Sequence, residues 1–298
     1  MKYYLQKISV LLKHREYEQN VRILQSAVEQ QGLCVMLEIL SDTCSENRHD
    51  MKTFRIEEAS DKQHILYLSD DGDVLRKLSA SGHPVMAYFH EYNAGENFQG
   101  IAYGCEKPEE LDAVYFDKIY RRCKRLPWQI TETERCIIRE TTVEDVDSFY
   151  QIYREPSITE YMESLFPERE QEIAYIEDYI THVYEFYDFG VWTVLSKETG
   201  EVIGRAGISY RDGCDIPELG FVIAVPWQRK GIAFEVCSAV LEYGRDVLGF
   251  ETVQALVEEG NLVSLYLCEK LGFHQEEMVT VDDKPMYRML LNPDCSDR

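Results

Sequence analysis

Apolar residues recur along this 298-residue chain in blocks that alternate between helical and strand-like spacing. Residues 3–31 carry a helical pattern that stops at Gly32, so a helix is expected there. Runs at 34–40, 64–68 and 84–88, with a short one at 101–103, are rich in β-branched and aromatic residues and read as strands. Residues 73–81 and 109–122 read as helices, and the polar stretch 41–50 as a loop or short helix. Strands alternating with helices predict a small parallel α/β unit. A charged segment, Trp128 to Cys136, closes it, and the boundary is placed between residues 132 and 133.

The second region follows a different order. A strand at 136–140 precedes a helix opened by Thr142, with Val143, Val146, Phe149, Tyr150 and Tyr153 on its apolar stripe. Residues 168–186 are helical and rich in Glu and Tyr. Runs at 191–195 and 202–210 form a hairpin around Thr199-Gly200. A strand at 218–224 leads to a helix with apolar positions at 233, 236, 240, 243, 247 and 248, stopped by Gly249. A strand at 252–257, a helix at 262–271 and a hairpin over 278–291 complete the chain. The order is β-α-α-β-β-β-α-β-α-β-β.

Nine cysteines lie scattered, with no C-x-x-C pair, which fits a reducing compartment better than a disulfide framework. No His/Cys grouping has zinc spacing, so no metal is expected. No segment approaches the roughly 20 apolar residues of a membrane span, and the first apolar run is too short for a secretory signal. A cytoplasmic protein without a membrane partner is therefore expected. The formal charge of −23 argues against a nucleic-acid partner. It favours a cationic substrate by steering, although acidity also serves solubility alone.

The most informative stretch is ELGFVIAVPWQRKGIA, residues 218–233. A strand that stops at a small-residue turn and opens a helix collects unpaired backbone N–H groups at the positive end of the helix dipole. Such a place cradles phosphate. Gly231 lets a ligand approach the backbone, Ala233 keeps the first turn thin, and Arg229 and Lys230 supply positive charge. Neither a P-loop nor a dinucleotide fingerprint occurs.

The spacing Q/R-x-x-G-x-G/A resembles the pyrophosphate loop of the GNAT superfamily of acyl-CoA-dependent N-acyltransferases. A second segment, Asn261-Leu-Val-Ser-Leu-Tyr-Leu-Cys-Glu-Lys-Leu-Gly-Phe273, resembles that family's N-x-x-S/A-x-x-x-Y-x-K-x-G-F. With the element order, these matches cover residues 136–291. They are most similar to the subgroup that includes ribosomal-protein N-terminal acetyltransferases. The resemblance implies an α/β (α+β) chain: a GNAT domain at 133–298, with a mixed, largely antiparallel sheet flanked by helices, after a small parallel Rossmann-like domain at 1–132. Within that first domain, LYLSDDGDVLRKLSASGHPVMAY resembles part of a haloacid-dehalogenase-type domain, with Asp71-x-Asp73 at the nucleophile motif. The simpler reading of these aspartates is a helix cap.

GNAT membership implies acetyl transfer from acetyl-CoA to a primary amine, either a small cation or a protein N-terminus. An alkylammonium, with a pKa of roughly 10, must first lose a proton. The developing oxyanion needs a donor, the departing thiolate benefits from a proton, and much of the rate comes from holding two substrates together. The resemblance assigns the pyrophosphate to Gln228, Arg229, Lys230, Gly231, Ile232 and Ala233. It assigns the pantetheine amides to the strand edge at Phe221, Val222 and Ile223. Asn261 either contacts the pantetheine arm or caps its helix, and Ser264 faces the thioester. Glu218 is the candidate general base, directly or through water, or else a strand-end carboxylate.

Where many members carry Tyr, this chain has Cys268. The proton donor is then Ser264, Cys268 or water, and Cys268 also reads as a small buried residue. Tyr161, Glu163, Glu168, Glu172 and Tyr175 could face a cationic acceptor. Two other readings remain: a CoA-binding regulatory module without turnover, and a bifunctional protein with an N-terminal phosphatase-like domain. A second copy of the chain is left open as a partner.

Overall fold

A computed structural model describes residues 3–40, 64–211 and 213–292. The expected loop at 41–50 lies outside the described residues. The chain forms two compact units, Met1–Leu126 and Pro127–Arg298.

The first unit is a parallel five-stranded sheet in the order β2-β1-β3-β4-β5. Its strands are β1 (Lys7–Leu12), β2 (Cys34–Ile39), β3 (Ile65–Ser69), β4 (Val85–Tyr88) and β5 (Gly104–Cys105), and its helices are α1 (Glu18–Glu29), α2 (Gly72–Ala80) and α3 (Ala113–Cys123). The helix expected over 3–31 is in fact β1 followed by the shorter α1. The alternation in KISVLL lasts only from Lys7 to Val10 before Leu11 and Leu12 are buried on opposite faces of the covered sheet, too short a run to separate the strand from the helix that follows. Val21, Leu24 and Val28 of α1 pack with Phe116, Ile119 and Tyr120 of α3 on one face, against Ile8, Val10, Leu12, Leu66 and Leu68. Leu75 and Leu78 of α2 cover Leu11, Tyr67 and Ala87 on the other. The sheet is thus doubly wound. Its strand order reverses between β1 and β3, and the crevice beyond the carboxyl ends of strands at such a point is the usual ligand position. Asp71 is the N-cap of α2, its Oδ1 accepting from the amides of Asp73 (2.9 Å) and Val74 (3.0 Å), while exposed Asp73 pairs with Arg76.

The second unit is built on an eight-stranded sheet in the order β12-β13-β11-β10-β9-β8-β7-β6. It begins with β6 (Gln129–Glu132), which pairs with β7 (Cys136–Arg139). Thr142 and Asp145 form a capping box ahead of α4 (Val146–Tyr153), and Arg139 grips Asp145 with two bonds of 2.7 Å. The short α5 (Pro156–Thr159) is followed by α6 (Arg169–Tyr179), a π-helical turn at Ile180–Tyr184, and α7 (Glu185–Tyr187), which ends at left-handed Asp188. Then come β8 (Val191–Ser196), β9 (Val202–Ser209), β10 (Glu218–Ile223), α8 (Ile232–Asp246), β11 (Val253–Glu258), α9 (Leu262–Lys270), β12 (His274–Val281) and β13 (Lys284–Leu291). All neighbours run antiparallel except β10 and β11. The sheet is therefore mixed and largely antiparallel, as expected.

Candidate functional site: a splayed strand pair and a bare turn

The site is made by the parting of β10 and β11. β10 pairs with β9 along its whole length, but with β11 only at Glu218↔Gln254. Antiparallel pairing points successive residues' main-chain groups to opposite sides. The bond from Ala224 N to Ile203 O (2.8 Å) fixes the phase: Val222 faces β9, whereas Phe221 and Ile223 face the gap. On the other wall, the bond from Glu259 N to Pro285 O turns Leu256 and Glu258 toward the gap. Val222, expected to offer its amide to a ligand, therefore does not. Its main chain serves β9 and its side chain packs with Ile152 and Ile158.

Beyond β10, Ala224 N–H is used by the sheet, and the N–H groups of Trp227 and Gln228 close a tight turn on Ala224 and Val225. Arg229 then takes a left-handed φ of 58°, and Gly231, the N-cap of α8, one of 80°. A left-handed arginine costs about 1–2 kcal/mol and is worth attention in a turn of this kind. Among the described residues, no protein group accepts from the amides of Arg229 through Phe234; the first bond of the helix runs from Glu235 N to Gly231 O (3.0 Å). The last of these are the ordinary orphan donors of a helix start. The turn adds more donors at the same pole of the dipole.

Side chains hold this turn in shape. Gln228 is exposed but tied back: its Nε2 donates to Ile223 O (2.8 Å), which fastens the loop to the strand end. Arg135, between β6 and β7, donates from Nη1 to Lys230 O (2.9 Å) and from Nε to Glu235 Oε2 (2.7 Å), while its own amide donates to Glu235 Oε1 (2.9 Å). Sequence reading missed Arg135 because it lies 95 residues from Lys230 and belongs to no local pattern. The Lys230 ammonium sits 5.3 Å from the Trp227 ring centroid, and Arg229 is exposed without a carboxylate partner among the described residues.

At the closed end of the gap stands Glu218. Both its oxygens accept from Arg211, from Nε at 2.9 Å and Nη2 at 3.2 Å, and Arg211 also lies 3.7 Å from Asp282. The hydrogen bonds that Arg211 donates to Glu218 raise the pKa of its guanidinium. A base at this position would have to work beside a guanidinium. Gly220 lies on the same face of β10 by strand alternation, and a Cβ there would meet nothing within 4 Å.

On the opposite lip, Asn261 caps α9, its Oδ1 accepting from Ser264 N (3.1 Å). That oxygen is therefore taken, while the amide nitrogen keeps its donors. Ser264 is half-buried. Cys268 is fully buried, near Cys237, and burial followed by Glu269 pushes its thiol up to about 11. It faces the core and is removed from the set of proton donors. Tyr161 donates to Gly260 O (3.2 Å), and burial followed by Glu160 and Glu258 raises its hydroxyl pKa. Glu172, placed by sequence on the acceptor surface, is buried and accepts from Phe166 N (3.1 Å), so it anchors a loop instead.

Known proteins resemble this chain over its second unit. The family model for the acetyltransferase (GNAT) domain matches residues 135–274. An uncharacterized N-acetyltransferase of Bacillus subtilis strain 168, YoaA, is 31% identical over 153 residues, 49% of this chain and 84% of that protein. An uncharacterized N-acetyltransferase of Bacillus licheniformis, p20, is 28% identical over 162 residues, 53% of this chain and 89% of that protein. A solved acetyltransferase from Agrobacterium tumefaciens strain C58 is 20% identical, covering 54% of this chain and 93% of its own, with a TM-score of 0.48. The chain belongs to the GNAT acetyltransferase family and is an N-acetyltransferase. The resemblance read from residues 228–233 and 261–273 is borne out. Among the described residues, no helix is long and apolar enough to cross a membrane.

Proposed function

We propose that this chain transfers the acetyl group of acetyl-CoA to a primary amine, either a small cationic amine or a protein N-terminus. The observation that carries the reading is the run of main-chain N–H groups from Arg229 to Phe234 that no protein acceptor uses, set at the mouth of an open strand gap. Backbone donors at a helix start suit a diphosphate, and the exposed Arg229 and Lys230 add charge beside them. Phe221 offers its amide and carbonyl and Ile223 its amide to an amide-bearing arm, the Ile223 carbonyl being held by Gln228, and Asn261 offers its side-chain nitrogen. Acetyl-CoA supplies the activated acyl group.

On the protein's side, the tasks are to bind, orient and move a proton. Glu218 receives the acceptor ammonium or takes its proton, directly or through water. Arg211 fixes the rotamer of that carboxylate. The absence of a side chain at Gly220 leaves room beside it. Ser264 or water gives a proton to the departing thiolate. The net charge of −23 favours a cationic acceptor.

The test is thiol release from acetyl-CoA measured against a panel of amines and peptides. Turnover on at least one amine is expected. Glu218→Gln should lower kcat/KM at neutral pH by roughly 10²-fold, the usual worth of a general base, with CoA affinity unchanged. An unchanged rate removes Glu218 from the mechanism. Tight CoA binding without turnover on any acceptor replaces the reading with that of a regulatory module.

A further inference from the structure

We propose that the first unit holds one divalent transition-metal ion between His14, Asp70 and His90, with Zn²⁺ the ion best suited to these donors. This is independent of the acetyl-transfer reading. Each residue directly or closely follows a strand of the parallel sheet: His14 follows β1, Asp70 follows β3 and His90 follows β4. They meet beyond the carboxyl ends of the strands, where the strand order reverses.

One oxygen carries the argument. Asp70 is fully buried, and its Oδ2 lies 2.9 Å from His14 N, 2.8 Å from His14 Nδ1 and 3.1 Å from His90 Nε2. If all three are hydrogen bonds, three N–H groups crowd one carboxylate oxygen, which has about two lone pairs. Both imidazoles must then also present a proton at the same point. An ion there removes the conflict: each imidazole presents a lone pair, and the carboxylate supplies the negative charge. The three donor atoms lie within 4.8 Å of one another. A tetrahedral ion with bonds of about 2.0–2.1 Å separates its ligand atoms by roughly 3.3 Å, so the two oxygen–nitrogen pairs need open by only a few tenths of an ångström, while the two imidazole nitrogens must draw together, by as much as about 1.5 Å, as the half-exposed His14 ring turns inward.

The surroundings suit a fixed site. Asp70 Oδ1 accepts from Lys13 N (2.7 Å), which holds the carboxylate from behind, and Asn93 donates to the main-chain carbonyl of Asp70 (3.1 Å), which fixes its backbone. Tyr17 stacks on His90 with centroids 4.0 Å apart, which fixes that ring. The His14 side chain is 23% exposed and leaves an entry path for an ion and a fourth ligand from solvent. Two imidazoles and one carboxylate are borderline donors, favouring Zn²⁺ and its transition-metal neighbours over Ca²⁺ or Mg²⁺.

The experiment uses the full chain, stripped with a chelator, loaded with Zn²⁺ or Co²⁺ and desalted. Metal content is read by mass spectrometry and Co²⁺ geometry by visible absorption. The wild type should retain one equivalent and show the intense bands of a tetrahedral site. Replacing Asp70 also removes the anchor of two backbone amides, so the decisive variants are His14→Ala and His90→Gln, checked for folding by circular dichroism. Each should weaken Zn²⁺ affinity by at least roughly tenfold, a conservative bound since even residues behind the ligands cost 10–100-fold. Cys34→Ser, altering an exposed thiol elsewhere in the unit, should leave retention intact. Failure of the wild type to retain the ion, or equal retention by a folded His14→Ala chain, overturns the proposal.

Discussion

The two units place their chemistry at the same kind of position, the carboxyl end of a central strand, and complete it in opposite ways. After β1, the amides of Lys13 and His14 find a built-in anion, the buried carboxylate of Asp70. After β10, the amides from Arg229 to Phe234 find no protein anion. The first arrangement closes on itself and attracts cations. The second is completed only by an anion from outside. The cause is the sheet: β1 is paired along both edges, whereas β10 loses β11 after a single register position. The lesson is that main-chain donors at a strand end become a binding site only where no buried carboxylate meets them.

The largest expected effect comes from removing the internal anion. Asp70→Ala leaves two amides and two imidazoles facing an empty acceptor position, and should destabilise the first unit by about 3 kcal/mol. Hydrogen exchange at the amides of Lys13 and His14 should accelerate by roughly a hundredfold or more. Unchanged protection there would break the contrast. The converse substitution gives the second unit an anion of its own. Gly231→Asp should cut CoA affinity at least about tenfold by occupying and repelling at the donor pole, as titration calorimetry would show. Its stability should shift by no more than about 1 kcal/mol, since an N-cap carboxylate offsets the strain of a left-handed Asp. Full CoA affinity in this variant would mean that the amides are not the anion site.

The smallest effect concerns the clamp. Burial acts to raise the pKa of Glu235, but hydrogen bonds from Thr133 and from the amide and guanidinium of Arg135 prevail and hold it below its ordinary 4.5. A carboxylate depressed in the folded state stabilises fully above its unfolded value and loses that contribution as pH falls through the folded one. The melting temperature of the wild type should exceed that of Glu235→Gln at pH 7, by an amount corresponding to about 1 kcal/mol. The gap should shrink as pH drops below 4.5. The three tryptophans, Trp128, Trp192 and Trp227, all lie in the second unit and report its melting by fluorescence. A gap independent of pH would make the clamp non-ionic.

The second unit was far more legible in sequence than the first. Its turns carry Gly at positive φ, and its ligand loop is contiguous from Gln228 to Ala233, so local pattern contains it. In the first unit, β1 alternates for only four residues before Leu11 and Leu12 are both buried, and it reads as helix because coverage by α1, α3 and α2 is a property of the fold. Side-chain duties were the weakest inference. Gln228 in the loop motif is a brace, Val222 on the strand points its main chain away, and Cys268 at the motif's Tyr position is core.

Sequence by itself determined the order of the main elements from β7 to β13, the family, and the short segment whose backbone forms the phosphate-suited turn, because each rests on residues a few positions apart. Only the tertiary structure decided that Arg135 grips Lys230, that Arg211 covers Glu218, and that two histidines converge on Asp70 from positions 56 and 20 residues away. Such contacts are set by which strands lie side by side, and strand order leaves no mark on the local spacing of residues.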